Sequence, residues 1–102
     1  MKIYISEKIT GLDIKVAEGY FETVEDLLTK AGHQAINPCK ILPCHPDHTW
    51  QKYMIADIEA LMSCEAILML ENWTDSKGAK VEHAIADKLG LQIYYQKNHN
   101  FF

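Results

Sequence analysis

Several common sequence signals are missing from this 102-residue chain. Its longest purely apolar run, AILML at 66–70, is far shorter than the roughly 20 residues that a membrane-spanning helix needs, so no membrane partner is expected. The start, MKIYISEKITG, does not read as a leader peptide, because Glu7 interrupts any apolar stretch. Cysteines number three, an odd count with no small-secreted framework, which points to reduced thiols and a cytoplasmic setting. Positive charge is also scarce: 10 Lys and Arg against 14 Asp and Glu leave a net charge of −4. That excludes a general binder of nucleic-acid polymers, whose affinity needs clustered cations. A single phosphate is a different matter, since the amides at a helix N-terminus can hold one without a basic patch. No Gly-x-Gly-x-x-Gly, P-loop or Ser–His–Asp set is visible.

What remains is ordinary for one globular domain over 1–102, with 48% hydrophobic and 24% charged residues. Four short apolar runs read as buried strands: KIYIS (2–6), QAINP (34–38), AILML (66–70) and LQIYY (91–95). Helical periodicity fills three segments between them. The first spans about 13–31, with Ile14, Ala17, Phe21, Val24 and Leu28 on one face and Gly32 as its stop. The second spans about 49–63, with Trp50, Tyr53, Met54, Ile58, Leu61 and Met62 inward. The third starts near Ser76 and ends at Gly90. Strands alternating with helices, and lacking a polar face of their own, imply a parallel sheet covered on both sides. Right-handed crossovers then predict a single-domain, flavodoxin-like or Rossmann-like three-layer α/β sandwich, with about four strands in the order 2-1-3-4. Ligands in such sheets sit beyond the carboxyl ends of the strands, where the order reverses between strands 1 and 3. The loops there are SEKITGL (6–12) and ENWTDSKG (71–78).

Two carboxylates fall on apolar helix faces. Glu82 has Gly78, Ala79, Ile85, Ala86 and Leu89 as helical neighbours, and Asp57 has Tyr53, Met54, Ala60 and Leu61. A carboxylate so placed must shift its pKa, find a partner or face a cavity. Core packing alone would favour Leu or Ala at both positions. Ser76, read as the N-cap, stands about 9 Å before Glu82 along the helix axis, at 1.5 Å per residue. Gly78 keeps the first turn open to an anion at the helix end. His83 points about 100 degrees away from Glu82, which argues against a direct dyad. Trp73 either stacks on a base or seals the edge of the core. The loop CKILPCHPDH (39–48) offers Cys39, Cys44, His45 and His48, with Asp47, as a chemically conceivable zinc set. Its spacing is not that of a standard finger and its prolines stiffen it, so neither a metal nor a cofactor is expected. Cys64 reads as a small apolar packing residue.

With IYIS–KITG at 3–11, W–YM–D at 50–57 and W–S–GA–E–A at 73–84, the chain resembles a superfamily of N-glycosidic enzymes. These are the nucleoside 2-deoxyribosyltransferases and the 2′-deoxynucleoside 5′-phosphate N-hydrolases, with a small bacterial and phage branch the most similar. The resemblance implies that Glu82 is a catalytic nucleophile toward the anomeric carbon of deoxyribose. It implies that Asp57 helps to hold the sugar and assists the leaving base. Ser76 matches the serine that binds the 5′-phosphate in the hydrolases; the transferases have an acidic residue there, so a nucleotide is favoured over a nucleoside. Tyr4, Ser6, Lys8 and Gly11 fall in the segment that lines base and phosphate, and Trp73 and Gly78 complete the implied substrate-binding set. A homodimer or larger homo-oligomer is implied as well. The chain departs from the pattern at Glu7 and at Asn72, where glycine is usual, and it is shorter, ending at NHNFF. A non-catalytic nucleotide-binding module, or a small interaction protein, is the competing expectation.

Overall fold

The computed structural model describes residues 1–7, 14–42, 47–71 and 73–96. Four parallel strands, β1 (Lys2–Ser6), β2 (Gln34–Ile36), β3 (Ala66–Met69) and β4 (Gln92–Tyr95), form one sheet in the order β2-β1-β3-β4. The predicted α/β class and strand order are those observed. Helix α1 (Ile14–Lys30) covers one face, and α3 (Trp50–Met62) and α4 (Lys77–Leu89) cover the other. Among the described residues no helix is long and apolar enough to cross a membrane.

The period-2 alternation of the central strands separates two apolar layers. Ile3 and Ile5 of β1, with Ala66 and Leu68 of β3, pack against Phe21, Val24 and Leu28 of α1. Tyr4, Ile67 and Met69 point the other way, to Leu61 of α3 and Ala79 and Ala86 of α4. All four β3 residues are buried, as expected of a strand covered on both faces.

Two readings of the sequence need correction. QAINP does not continue as a strand to Pro38. Asn37 accepts a hydrogen bond from the Cys39 amide at 3.0 Å, and Pro38, preset for the first helical position, opens a single turn, α2 (Pro38–Ile41). The segment predicted as a loop from Cys39 therefore begins inside a helix. In α3 the buried stripe is Met54, Asp57 and Leu61, at i, i+3 and i+7. Met62 lies about 100 degrees around from Leu61 and is 62% exposed; Trp50, at the helix start, is 38% exposed. Met62 does not point inward as the pattern suggested, and Trp50 lies partly exposed against the start of α4.

Helix α4 ends as predicted. Gly90 takes a left-handed conformation (φ 74°), and Leu91 N–H donates to Ala86 C=O at 3.0 Å, in the hydrogen-bond pattern of a Schellman cap. Gly90→Ala should destabilise the fold by about 1 kcal/mol, because an L-residue is strained at that φ. Gly19→Ala, inside α1 with nothing within 4 Å of the added methyl, should stabilise it by about 0.5–1 kcal/mol. Urea denaturation midpoints of the two variants, moving in opposite directions from the parent, check both.

Candidate active site

The carboxyl end of β1 delivers two hydroxyls to one face of the sheet. Tyr4 and Ser6 are two residues apart, so both point to the α3/α4 side, and both are buried. Glu82 meets them from α4. Ser76 starts that helix by accepting from the Ala79 amide at 3.1 Å, and the small residues Ala79 and Ala86 bring it down onto the sheet. Glu82 is 4% exposed. Its Oε2 accepts from the Tyr4 hydroxyl and its Oε1 from the Ser6 hydroxyl, each at 2.7 Å. Asp57, on the inward stripe of α3, is also buried and close enough for the two carboxyls to repel.

Burial dominates the electrostatics. It pushes Glu82 up to about 7, against the opposing pull of the Ser6 and Tyr4 hydrogen bonds, which favour the ionised form. Asp57 is likewise raised to about 7, by burial first and then by the Glu82 charge, with the nearby Tyr4 hydroxyl offsetting part of the rise. Tyr4 is raised well above 10.0, because its phenolate would be buried beside both carboxylates. It therefore stays a hydroxyl, donating to Glu82. The pair can hold one proton and one negative charge near neutral pH, the combination needed by a nucleophile beside an acid.

The other predicted site residues are distributed as follows. Ser76 caps α4, so its oxygen is already engaged by the Ala79 amide. The space beside Gly78 is occupied by α3: an added methyl would lie 3.1 Å from Met54 Sδ and 3.7 Å from Trp50 Nε1. Trp73 lies in a 3₁₀ turn (Trp73–Asp75) and stacks on His83 with centroids 4.4 Å apart, so one of its faces is taken. His83 in turn bonds to the Tyr95 hydroxyl at 2.7 Å and points away from Glu82's partners. Lys8, Gly11 and Asn72 lie outside the described residues, as do Cys44 and His45 of the conceivable zinc set. His48 packs edge-on against Tyr53, and no group of three or more metal-ligating side chains occurs among the described residues. A cavity of about 240 Å³ lined by Met1, Ile3, His33 and Tyr94 opens beside the amino ends of β1 and β2, away from Glu82.

Sequence reasoning did not foresee that Tyr4 and Ser6 hold the Glu82 carboxylate. The i, i+2 spacing of two hydroxyl residues in an otherwise apolar strand was the available signal. It also missed a second polar group. Glu7, Glu71, Tyr20 and Gln96 converge at the ends of β1, β3 and β4, and no periodicity in the sequence links them.

A family model described as a domain of unknown function, DUF4406, matches residues 1–95. Among solved structures, a 2-deoxyribosyltransferase from the psychrotolerant bacterium Bacillus psychrosaccharolyticus is similar with a TM-score of 0.69. That enzyme is characterised as a biocatalyst for the synthesis of antiviral and antitumoral nucleosides. The alignment has 18% identity and covers 93% of this chain and 71% of that one, a likeness of fold. No curated protein matches the sequence.

Both carboxyls have folded-state pKa values near 7, above their ordinary 4.5 and 3.8, so the folded state takes up protons across that window. Their contribution is most favourable at low pH and is lost as pH rises through about 7. Urea midpoints should therefore fall between pH 5 and pH 8. Glu82→Gln should flatten the decline and raise the midpoint at pH 8. A midpoint that rises over this range in the parent protein would contradict the burial of ionisable carboxyls.

Proposed function

The chain belongs to the DUF4406 family, and we propose that it cleaves or transfers the N-glycosidic bond of a 2′-deoxynucleoside or 2′-deoxynucleotide, with Glu82 as nucleophile. The observation that carries this reading is the buried Glu82 carboxylate, held through both oxygens by Tyr4 and Ser6 with Asp57 beside it. The fold shared with a 2-deoxyribosyltransferase supports it.

In the first step a Glu82 oxygen attacks C1′ of the sugar. The C1′–N bond breaks, its electron pair leaves with the base, and the base takes a proton from Asp57. The transition state resembles an oxocarbenium ion, which an anionic oxygen in a water-poor site stabilises. A 2′-deoxy sugar suits the route, because no electron-withdrawing 2′-hydroxyl opposes the developing positive charge. In the second step water or another base, deprotonated by Asp57, attacks C1′ from the face the first base left. The glycosyl ester breaks, Glu82 is regenerated, and the anomeric configuration is retained. Tyr4 and Ser6 fix the carboxylate orientation throughout and keep it ionised against its burial. The same reading takes the protein to be a cytoplasmic homo-oligomer.

The test is base release from the four 2′-deoxynucleosides and their 5′-monophosphates. Glu82→Gln should lower release by about 10³-fold or more, and Asp57→Asn by about 10²-fold. The rate should follow a bell-shaped pH profile centred near 7, with both limbs belonging to the Asp57–Glu82 pair. Tyr4→Phe removes a bond that favours ionised Glu82, so the acidic limb should move to higher pH. Full activity in Glu82→Gln would exclude the assignment. Ligand-dependent thermal stabilisation without base release would instead mark a binding module.

A further inference from the structure

The proposed chemistry uses only the inner sides of α3 and α4. Helix α3 leads into β3 and α4 leads out of it, so both run antiparallel to the strands and lie side by side over the sheet. Trp50 approaches Gly78, which brings the first turns of the two helices level. Asp57 and Glu82 point to the sheet. At about 100 degrees per residue, the opposite stripe carries Lys52, Ile55 and Glu59 on α3 and Lys80, Ala84 and Asp87 on α4, all exposed.

The two outer stripes share one pattern. KYMIADIE (52–59) and KVEHAIAD (80–87) each begin with a lysine, have alanine four residues on and end in an acid seven residues on. Seven residues are about 10 Å along the axis, so the lysine and the acid of one helix are too far apart to pair with each other. Between the charges of α3, Ile55 stands 68% exposed.

We propose that this outer face of α3 and α4 binds the same face of a second copy of the chain, about a twofold axis lying across both helices. Such an axis sets each helix antiparallel to its counterpart. Lys52 then meets Glu59 of the copy and Lys80 meets Asp87 of the copy, and each pair occurs twice. The axis passes between residues 55 and 56 of α3 and between 83 and 84 of α4, which are level. There Ile55 meets Ile55 of the copy, and the small Ala84 lets the α4 pair come close. An axis running along the helices would instead lay α3 on α4 of the copy, with Lys52 against Lys80 and Glu59 against Asp87, like charge on like. Lys77 and Lys88 lie at the two ends of α4, on the rim, where solvent screens them. The opposite face of the molecule does not suit a second copy. Helix α1 also exposes Val16 and Leu27, but its outward Glu18, Glu22 and Asp26 would face their own counterparts or one another.

Each helix has 13 residues. At about 20 Å long and about 10 Å apart, the two offer a face toward the small end of specific interfaces. The dimer should therefore come apart on dilution and weaken with salt. The inference gives a surface to the homo-oligomer of the proposed function and is independent of the glycosidic step.

Sedimentation equilibrium of the full chain over a concentration series tests it. The dimer dissociation constant should rise severalfold between about 0.05 M and 0.5 M salt. Lys52→Glu and Glu59→Lys alone should each weaken the dimer by about tenfold or more, and the two together should restore it to within about threefold of the parent, because opposite charges again face each other. Ile55→Asp should leave a monomer, whereas Val16→Asp on α1 should change nothing. A chain that is monomeric at every concentration, a dimer unmoved by Ile55→Asp, or a double exchange no better than either single one overturns the inference. Base release from the same samples separates the two proposals. Release by a chain that is monomeric throughout overturns the dimer face and leaves the glycosidic reading standing; a dimer with the expected responses and no release does the reverse.

Discussion

A carboxylate buried in an apolar layer and held by two hydroxyls is the constraint on which the site depends. Moving a carboxylate out of water costs several kcal/mol, and a hydrogen bond to a charged group returns about 1.5–3 kcal/mol. The Tyr4 and Ser6 hydroxyls therefore make the charge tolerable on Glu82 without making it comfortable, which is why the group titrates near 7 rather than near 4.5. With one bond fewer, the carboxyl would be held more strongly in its neutral form. Fully hydrated, it would be stable and a poorer nucleophile.

The sheet explains how two hydroxyls come to that position. Because β1 is central, Lys2–Tyr4 pair with β2 and Ile3–Ser6 with β3, and its side chains are held by packing on both faces. Alternation then assigns Tyr4 and Ser6 to the α3/α4 layer and Ile3 and Ile5 to the α1 layer. Helix α4 supplies the complementary half. Its cap at Ser76 and its small residues Ala79 and Ala86 set how closely it approaches the strands, and hence how far Glu82 reaches. The close approach of α3 at Gly78 fits the same geometry, since it brings Asp57 within electrostatic reach of Glu82.

Polar groups of different character lie on the two sides of the β1 tip. On the α3/α4 side the Glu82 carboxylate is paired with two hydroxyl donors. On the α1 side one Glu7 oxygen is buried without a partner, and burial and then the Glu71 carboxylate raise its pKa.

Much of this was legible in the chain. Apolar runs of four or five residues alternating with helical periods dictate a parallel α/β sheet. Ser76 and Gly90 bracket α4 through local capping chemistry, and that is why those elements could be placed without coordinates. Glu82 and Asp57 were also visible, since a carboxylate on an apolar helical face is an anomaly in one dimension. The turn at Pro38–Ile41 and the outward Met62 were not, because a cap that competes with a strand, and the narrowness of a buried stripe, are settled by what packs alongside. The same holds for the partners of Glu82. Tyr4 and Ser6 are 78 and 76 residues away from it in sequence, and only the register of β1 against β3 and the docking of α4 bring their hydroxyls within 2.7 Å. Local physics chooses elements and marks unusual residues, whereas the protonation and pairing of those residues depend on burial, which exists only once the layers are assembled.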